Sequence, residues 1–153
     1  MERLKCQIRT MQAEDEGMLL FLAEASLRPL AAASGHGERY RSDQLVDLLE
    51  SADVFVAESA QEVAGFAAVT QEGGDLLIEC LCVNPAFEAR AVAHQLLAWI
   101  EGLAFNRNVA RLQALVPTDD TRAEHLYKDH DFVPAPALGR PEMIVMEKRL
   151  PEP

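Results

Sequence analysis

Basic residues, cysteines and long apolar runs are all scarce in this chain. Lys and Arg number 14 against 25 Asp and Glu in 153 residues, a formal net charge of −11 at pH 7. A surface of that sign repels phosphate backbones and anionic lipid, which disfavours nucleic acid or a membrane surface as partner. Cationic amines are attracted instead, although acidity of this kind also serves solubility alone. The start of the chain, Met1-Glu2-Arg3-Leu4-Lys5, has no apolar core of signal-peptide length, and Glu24 and Arg28 interrupt the apolar stretch over 18–33. Neither a targeting segment nor a membrane span is expected. Three cysteines, an odd number, point to a reducing cytoplasm rather than a disulfide framework. Cys80 and Cys82 share one strand face and, with no histidine nearby, read as small core filler rather than zinc ligands. The four histidines form no ligand constellation by spacing, so no metal is expected. No repeat, low-complexity tract or linker divides the chain. At 49% hydrophobic content, residues 1–153 suit one domain with a substantial core.

The pattern along the chain predicts eleven elements. Cys6–Met11 is a short strand. A helix follows with Met18, Leu19, Leu22 and Leu27 on its apolar stripe and acids in its first turn, and Pro29 kinks or ends it. Residues 31–41 make a connection, and Ser42 caps a second helix with Leu45, Val46, Leu48 and Leu49 inward. Asp53–Glu58 and Val63–Thr70 are strands around the polar turn Ser59–Glu62, and Gly73-Gly74 closes a second hairpin into Leu76–Val83. A helix over Glu88–Leu103 buries Val92, Leu96, Ile100 and Leu103. Leu112–Val116 is a fifth strand, Thr121-Arg122-Ala123-Glu124 a capping box opening a short helix, and Phe132–Val133 and Met143–Lys148 two last strands. The order β-α-α-β-β-β-α-β-α-β-β describes an α+β fold with a mixed sheet.

Residues 76–103 carry the chemistry. The strand breaks at Asn84-Pro85, and a helix opens directly after it. Its N-terminus presents unpaired N–H groups and the positive end of the dipole, a place for a phosphate. A β-bulge near 81–83 splays this strand from its parallel neighbour, and exposed backbone at Leu81, Cys82 and Val83 can pair with an amide-rich chain. Small residues at 89, 91 and 93 let phosphate oxygens reach the backbone, and all three are alanine.

This segment resembles the acyl-CoA signature of the GNAT N-acetyltransferase superfamily, roughly V-x-P-x-Y/F-Q/R-x-x-G-x-G/A-x-x-L-L/I. Val83, Pro85, Phe87, Ala93, Leu96 and Leu97 fit; Glu88 replaces the usual Gln or Arg, and Ala91 the usual Gly. A second family motif, N-x-x-A-x-x-L/F-Y-x-x-x-G-F, is matched by Asp120, Ala123, Leu126, Tyr127 and Phe132, with Asp120 for the Asn and Asp131 for the Gly. Val54–Glu58 with Val63–Phe66 is similar to the family's central hairpin, and Met143–Leu150 to its closing strand.

The resemblance implies a three-layer fold, acetyl-CoA as co-substrate and direct acetyl transfer to a primary amine of a small molecule or peptide. The co-substrate then contacts Leu81, Cys82, Val83, Glu88, Ala89, Arg90, Ala91, Val92, Ala93 and Asp120. Glu79, where many family members carry Glu, is the base; partly desolvated beside Ile78 and Leu81, it suits that role. Tyr127 is the acid that protonates the leaving thiolate. Two alternatives stay open at Glu88–Ala93: CoA binds with Arg90 or His94 assisting its phosphates, or Glu88 fills the site and the protein is a binding or regulatory relative, or a sensor without turnover. The resemblance also leaves a homodimer open. Residues 28–42 and 134–141 shape the acceptor pocket and carry no readable code for it.

Overall fold

Apolar, β-branched residues between two tight polar turns build the centre of the sheet. The computed structural model describes residues 5–33, 42–135 and 143–151. In chain order the elements are β1 (Gln7–Thr10), α1 (Glu16–Ala33), α2 (Ser42–Ser51), β2 (Asp53–Ser59), β3 (Glu62–Glu72), β4 (Asp75–Val83), α3 (Ala89–Asn106), β5 (Arg111–Pro117), α4 (Thr121–Asp129), β6 (Val133–Pro134) and β7 (Met143–Arg149). That is the expected order. The seven strands lie side by side as β1-β2-β3-β4-β5-β7-β6, antiparallel throughout except for the parallel pair β4 and β5. Ala60 and Gln61, with φ of 51° and 67°, make the left-handed two-residue turn between β2 and β3. Gly73 (φ 58°) does the same between β3 and β4, where the missing Cβ removes the penalty.

Each face of the sheet carries an apolar layer. On one side Val92, Leu96, Leu97, Ile100 and Ala104 of α3, with Tyr127 of α4, pack on Ile78, Leu112 and Ala114. On the other, Leu19, Leu22 and Ala23 of α1 and Leu45 and Leu49 of α2 pack on Val54, Phe66 and Ala68. No helix among the described residues is long and apolar enough to cross a membrane.

Strand β4 serves both layers because it changes face midway. Simple alternation would put Leu76, Ile78, Cys80 and Cys82 on one side. The register against β3 pairs Val69 with Ile78 and Ala68 with Cys80, which leaves Glu79 as an extra residue. Leu76 and Ile78 therefore join the α3 layer, and Cys80 and Cys82 join the α1–α2 layer. The bulge expected at 81–83 thus lies at Glu79. Its position is set by the opposing strand, which the local sequence of β4 does not reveal.

Other departures from the expected pattern have local causes. Helix α1 continues through Pro29 to Ala33; a proline removes one hydrogen bond but does not oblige a helix to stop. On that helix Met18 is 44% exposed, and Ala23 takes the buried place instead. On α3 the core residue after Ile100 is Ala104, with Leu103 only partly buried, since i+4 continues the stripe of Leu96 and Ile100. Helix α4 is capped one residue earlier than the Thr121 box, by Asp120. The side chains of Leu27 and Ser42, the 34–41 stretch and residues 136–142 lie outside what the structure describes.

The N-terminal strand is fastened by charge. Arg9 grips Asp15 through two bonds of 2.6 and 3.0 Å and Glu58 through one of 2.7 Å, tying β1 to β2 and to the start of α1. Hydrogen bonding from Arg9 holds the buried Asp15 carboxyl below its ordinary value, against the opposing effect of burial.

A close backbone approach fixes where β4 ends. A Cβ built on Gly65 of β3 would lie 2.7 Å from the Cys82 carbonyl oxygen and 3.0 Å from Val92 Cγ1. The first neighbour is backbone and cannot yield without parting β3 from β4. Gly65→Ala is expected to lower stability by about 1–3 kcal/mol, measured by urea denaturation; an unchanged midpoint would show that the strands have slack here.

Candidate active site

Strands β4 and β5 begin side by side and then part. Their pairing runs from Asp75–Arg111 to Ile78–Ala114 and stops there, although β4 continues to Val83 and β5, still paired with β7, to Pro117. The bulge at Glu79 starts the divergence, since an extra residue bends the strand that holds it and increases its twist. At the apex is a pocket of about 30 Å³ lined by Glu79, Cys80, Leu81, Leu115, Pro117, Asp120, Ala123, Leu126 and Tyr127. Glu79 and Tyr127, 48 positions apart in the sequence, thus meet at one site.

Glu79 is half-buried and its Oε1 accepts a hydrogen bond from the Thr70 hydroxyl at 3.1 Å. Thr70 alternates with Phe66 and Ala68, which face α1 and α2, so the carboxylate stands toward that side of the sheet. Tyr127 comes from the opposite layer. It is 2% exposed, its ring packs against Phe132 with centroids 5.1 Å apart, and burial pushes its phenol far up. The group is therefore a protonated hydroxyl at neutral pH, able to donate and unsuited to act as a base. Cys82 is equally committed to the thiol form, by its hydrogen bond to Cys80 and by burial; thiols of this kind are inert.

The turn from β4 into α3 is braced by Asn84. Its Nδ2 donates to Val63 O (3.0 Å), its Oδ1 accepts from Ala86 N–H (3.0 Å) and its own N–H donates to Ala64 O (2.8 Å). This fixes how α3 begins. Glu88 is the N-cap, and its Oε2 accepts the Ala91 N–H at 3.0 Å. One of the donors an anion would use at this helix start is thus taken by the protein's own carboxylate. Asp120 does the same for α4, accepting from Ala123 N–H at 3.0 Å while its side lines the pocket. Arg90 lies outward, 76% exposed and 3.7 Å from Asp129, a pair worth little in water. His94 Nδ1 lies 2.6 Å from His130 Nε2, and its Nε2 accepts from Arg90 Nε–H at 3.4 Å.

Ala89, Ala91, Val92 and Ala93 occupy the first turns of α3; Val92 is fully buried and Ala93 nearly so, which leaves their backbone and not their side chains for a ligand. Leu81 and Val83 pack partly into the α3 layer. Three features escaped the sequence reading: Thr70, because a cross-strand contact depends on register; Asn84, legible only as an Asn-Pro turn signal; and the His94–His130 pair. Among the described residues no group of three or more His, Cys, Asp or Glu could hold a metal ion.

A family profile described as the acetyltransferase (GNAT) family matches residues 19–132. The chain belongs to the GNAT acetyltransferase family. Solved structures share the fold across nearly the whole length. The PaiA N-acetyltransferase of Thermoplasma acidophilum, in complex with coenzyme A, superposes with a TM-score of 0.79 at 16% identity, over 96% of this chain and 100% of that one. Ard1 of Thermoplasma volcanium gives 0.78 at 21% identity, over 97% and 100%. A GNAT family acetyltransferase of Elizabethkingia anophelis with acetyl-CoA bound gives 0.73 at 18%, over 97% and 100%. No curated protein matches the chain in sequence.

The Glu88 cap generates a direct test. Glu88→Gln keeps an acceptor for Ala91 N–H and removes the charge. CoA affinity, titrated by calorimetry at low salt, is expected to rise about fivefold, as about 1 kcal/mol of lost repulsion gives. Equal affinity in the two proteins would show that the carboxylate does not compete with the phosphates.

Proposed function

We propose that this protein moves an acetyl group from acetyl-CoA directly to a primary amine of a small molecule or peptide, with Glu79 as base and Tyr127 as acid. The observation that carries the reading is the parting of β4 and β5 with Glu79 and Tyr127 both lining the pocket at its apex. Backbone of Leu81, Cys82 and Val83, freed from β5, pairs with the pantetheine amides as an added strand would. The α3 N-terminus at 88–93 takes the pyrophosphate once Glu88 swings aside, and Asp120 holds α4 along the cleft.

The chemistry follows from the two environments. Glu79, steadied by Thr70, takes a proton from the incoming ammonium. The amine lone pair then attacks the thioester carbon, the C–S bond breaks, and the Tyr127 hydroxyl supplies the proton, or a hydrogen bond, to the departing thiolate, while the second proton shed by the attacking nitrogen restores the tyrosine hydroxyl or passes to solvent. The acetyl group passes without a covalent enzyme intermediate and without metal. An acidic protein favours a cationic acceptor, and the three free cysteines fit a cytoplasmic setting.

A second reading, a family member that binds acyl-CoA or a partner without turnover, is favoured by one observation, the Glu88 carboxylate on Ala91 N–H. Thiol release from acetyl-CoA in the presence of a panel of amines separates the two; no release above the uncatalysed rate would favour the second.

Glu79→Gln is expected to lower turnover about 100-fold or more while leaving CoA affinity unchanged, because a base acts on the acceptor. Full activity of this variant across pH 6–9 assigns the proton to another group. Tyr127→Phe keeps the ring against Phe132 and removes only the hydroxyl. Turnover is expected to fall roughly 10- to 1000-fold with a much smaller change in CoA binding, since the hydroxyl matters most as charge develops on sulfur. Equal thiol-release rates in wild type and variant would take Tyr127 out of the mechanism.

A further inference from the structure

Two histidines 36 positions apart meet between α3 and α4 and form the middle of a hydrogen-bonded chain. His94 Nδ1 lies 2.6 Å from His130 Nε2, and His130 Nδ1 lies 3.0 Å from Glu101 Oε1. The ring centroids lie 4.8 Å apart and the planes 28° from parallel, so the two imidazoles meet edge to edge. At one end Arg90 Nε–H reaches His94 Nε2 at 3.4 Å; at the other Lys148 Nζ stands 3.6 Å from Glu101 Oε2. His130 is also the residue that ends α4, its backbone N–H donating to Tyr127 O at 3.0 Å.

We propose that Glu101, His130 and His94 form a latch that holds the end of α4, and Tyr127 with it, against α3, and that protonating the two imidazoles opens it. The functional half of this rests on Tyr127 as the acid facing the thioester. His94 and His130 are positioning residues: they act through α4 and do not line the pocket.

The direction of every bond follows from counting protons. Arg90 can only donate, so His94 Nε2 accepts. His94 Nδ1 then carries the hydrogen and donates to His130 Nε2, which leaves His130 Nδ1–H to donate to Glu101. Each neutral ring spends one donor and one acceptor, and nothing is left over. A first added proton sets an N–H against the Arg90 N–H and costs the outer link. A second sets two N–H groups against each other across 2.6 Å and breaks the central one.

The charged groups around the pair pull in both directions. From α3, Arg90 opposes protonation and Glu88 and Glu101 favour it; Asp129 of α4 favours it; Lys148 of β7, on Glu101, opposes it. For His94 burial dominates, joined by His130 and Arg90, and its value falls below the ordinary one. The folded chain therefore holds fewer protons than the unfolded chain just below the ordinary histidine value of about 6.5. The Arg90–His94 link contributes its full stability above that pH and loses it as pH falls through the folded value of His94, and the latch itself opens only when a second proton follows.

Amide hydrogen exchange of the full chain reads the latch without any substrate. Protection of residues 121–130, corrected for intrinsic exchange and referred to β3, is expected to fall at least tenfold between pH 7.5 and 5.0. His130→Asn keeps a donor toward Glu101 but does not titrate, and His94→Gln likewise. Both are expected to show lowered α4 protection at pH 7.5 and no further pH dependence. The same pH dependence in wild type and both variants overturns the proposal. Ring NMR of the wild type gives a measurement that needs no variant. The His94 ring is expected to titrate below the ordinary histidine range, for burial and for its neighbours His130 and Arg90, and an unshifted or raised His94 value overturns the latch. The Tyr127 reading fails separately, by equal thiol release in wild type and Tyr127→Phe, while exchange still reports on the latch.

Discussion

One surplus residue in β4 sets up the whole site. The register against β3 steps over Glu79 between Ile78 and Cys80, and three consequences follow from that single insertion. Inward and outward positions exchange, so Leu76 and Ile78 serve one core and Cys80 and Cys82 the other. The strand bends away from β5 after four paired residues. The bulged residue itself lines the pocket at the apex of the gap, with its carboxylate held by the Thr70 hydroxyl of β3. A sheet without the bulge would close the gap with ladder hydrogen bonds, and no room would remain for a thioester arm. The cost is a few lost backbone bonds between β4 and β5, which an extended amide-bearing ligand can restore.

Much of this was legible in the sequence, and the limits are physical. Strand and helix order followed from periodicity and from Gly73-Gly74 and Asn84-Pro85, because those signals act within a few residues of where they lie. The α3 core stripe was legible through Ile100 for the same reason. Register was not. Whether Glu79 or residues 81–83 carry the bulge depends on which residue of β3 stands opposite, and that is fixed by packing of both layers. Caps fell between the two cases: Thr121 looked like a capping residue by its spacing to Glu124, yet Asp120, one position earlier, holds the Ala123 N–H. A carboxylate is the stronger acceptor for an exposed helix-start N–H.

The site residues divide along the same line. Glu79 and Tyr127 were proposed from motif register, and the topology brings them to one pocket. The His94–His130 pair has no local signature at all. Each histidine alone sits on an ordinary amphipathic helix, and only the crossing of α3 by the end of α4 makes them partners. Any pattern read along the chain is blind to such a pair, because its information resides in how two helices pack on one sheet.

Magnitudes decide how far the Glu88 cap can compete. A capping side chain contributes about 0.5–2 kcal/mol, and a surface acid near a helix start about 0.3–1 kcal/mol. Both are small beside what several N–H groups and a dipole offer a doubly charged pyrophosphate in the same place. Glu88 has a free hinge on its side: it is exposed, and on leaving Ala91 N–H it returns to water at little cost. Displacing it lowers CoA affinity by a factor of about ten for each 1.4 kcal/mol lost. A handicap of that size is smaller than the binding energy of a micromolar ligand, about 8 kcal/mol. Around it β4 and β5 part after Ile78–Ala114 and the side chains at 89, 91 and 93 are small, so a modest electrostatic cost at one helix start stands against an open cleft beside it.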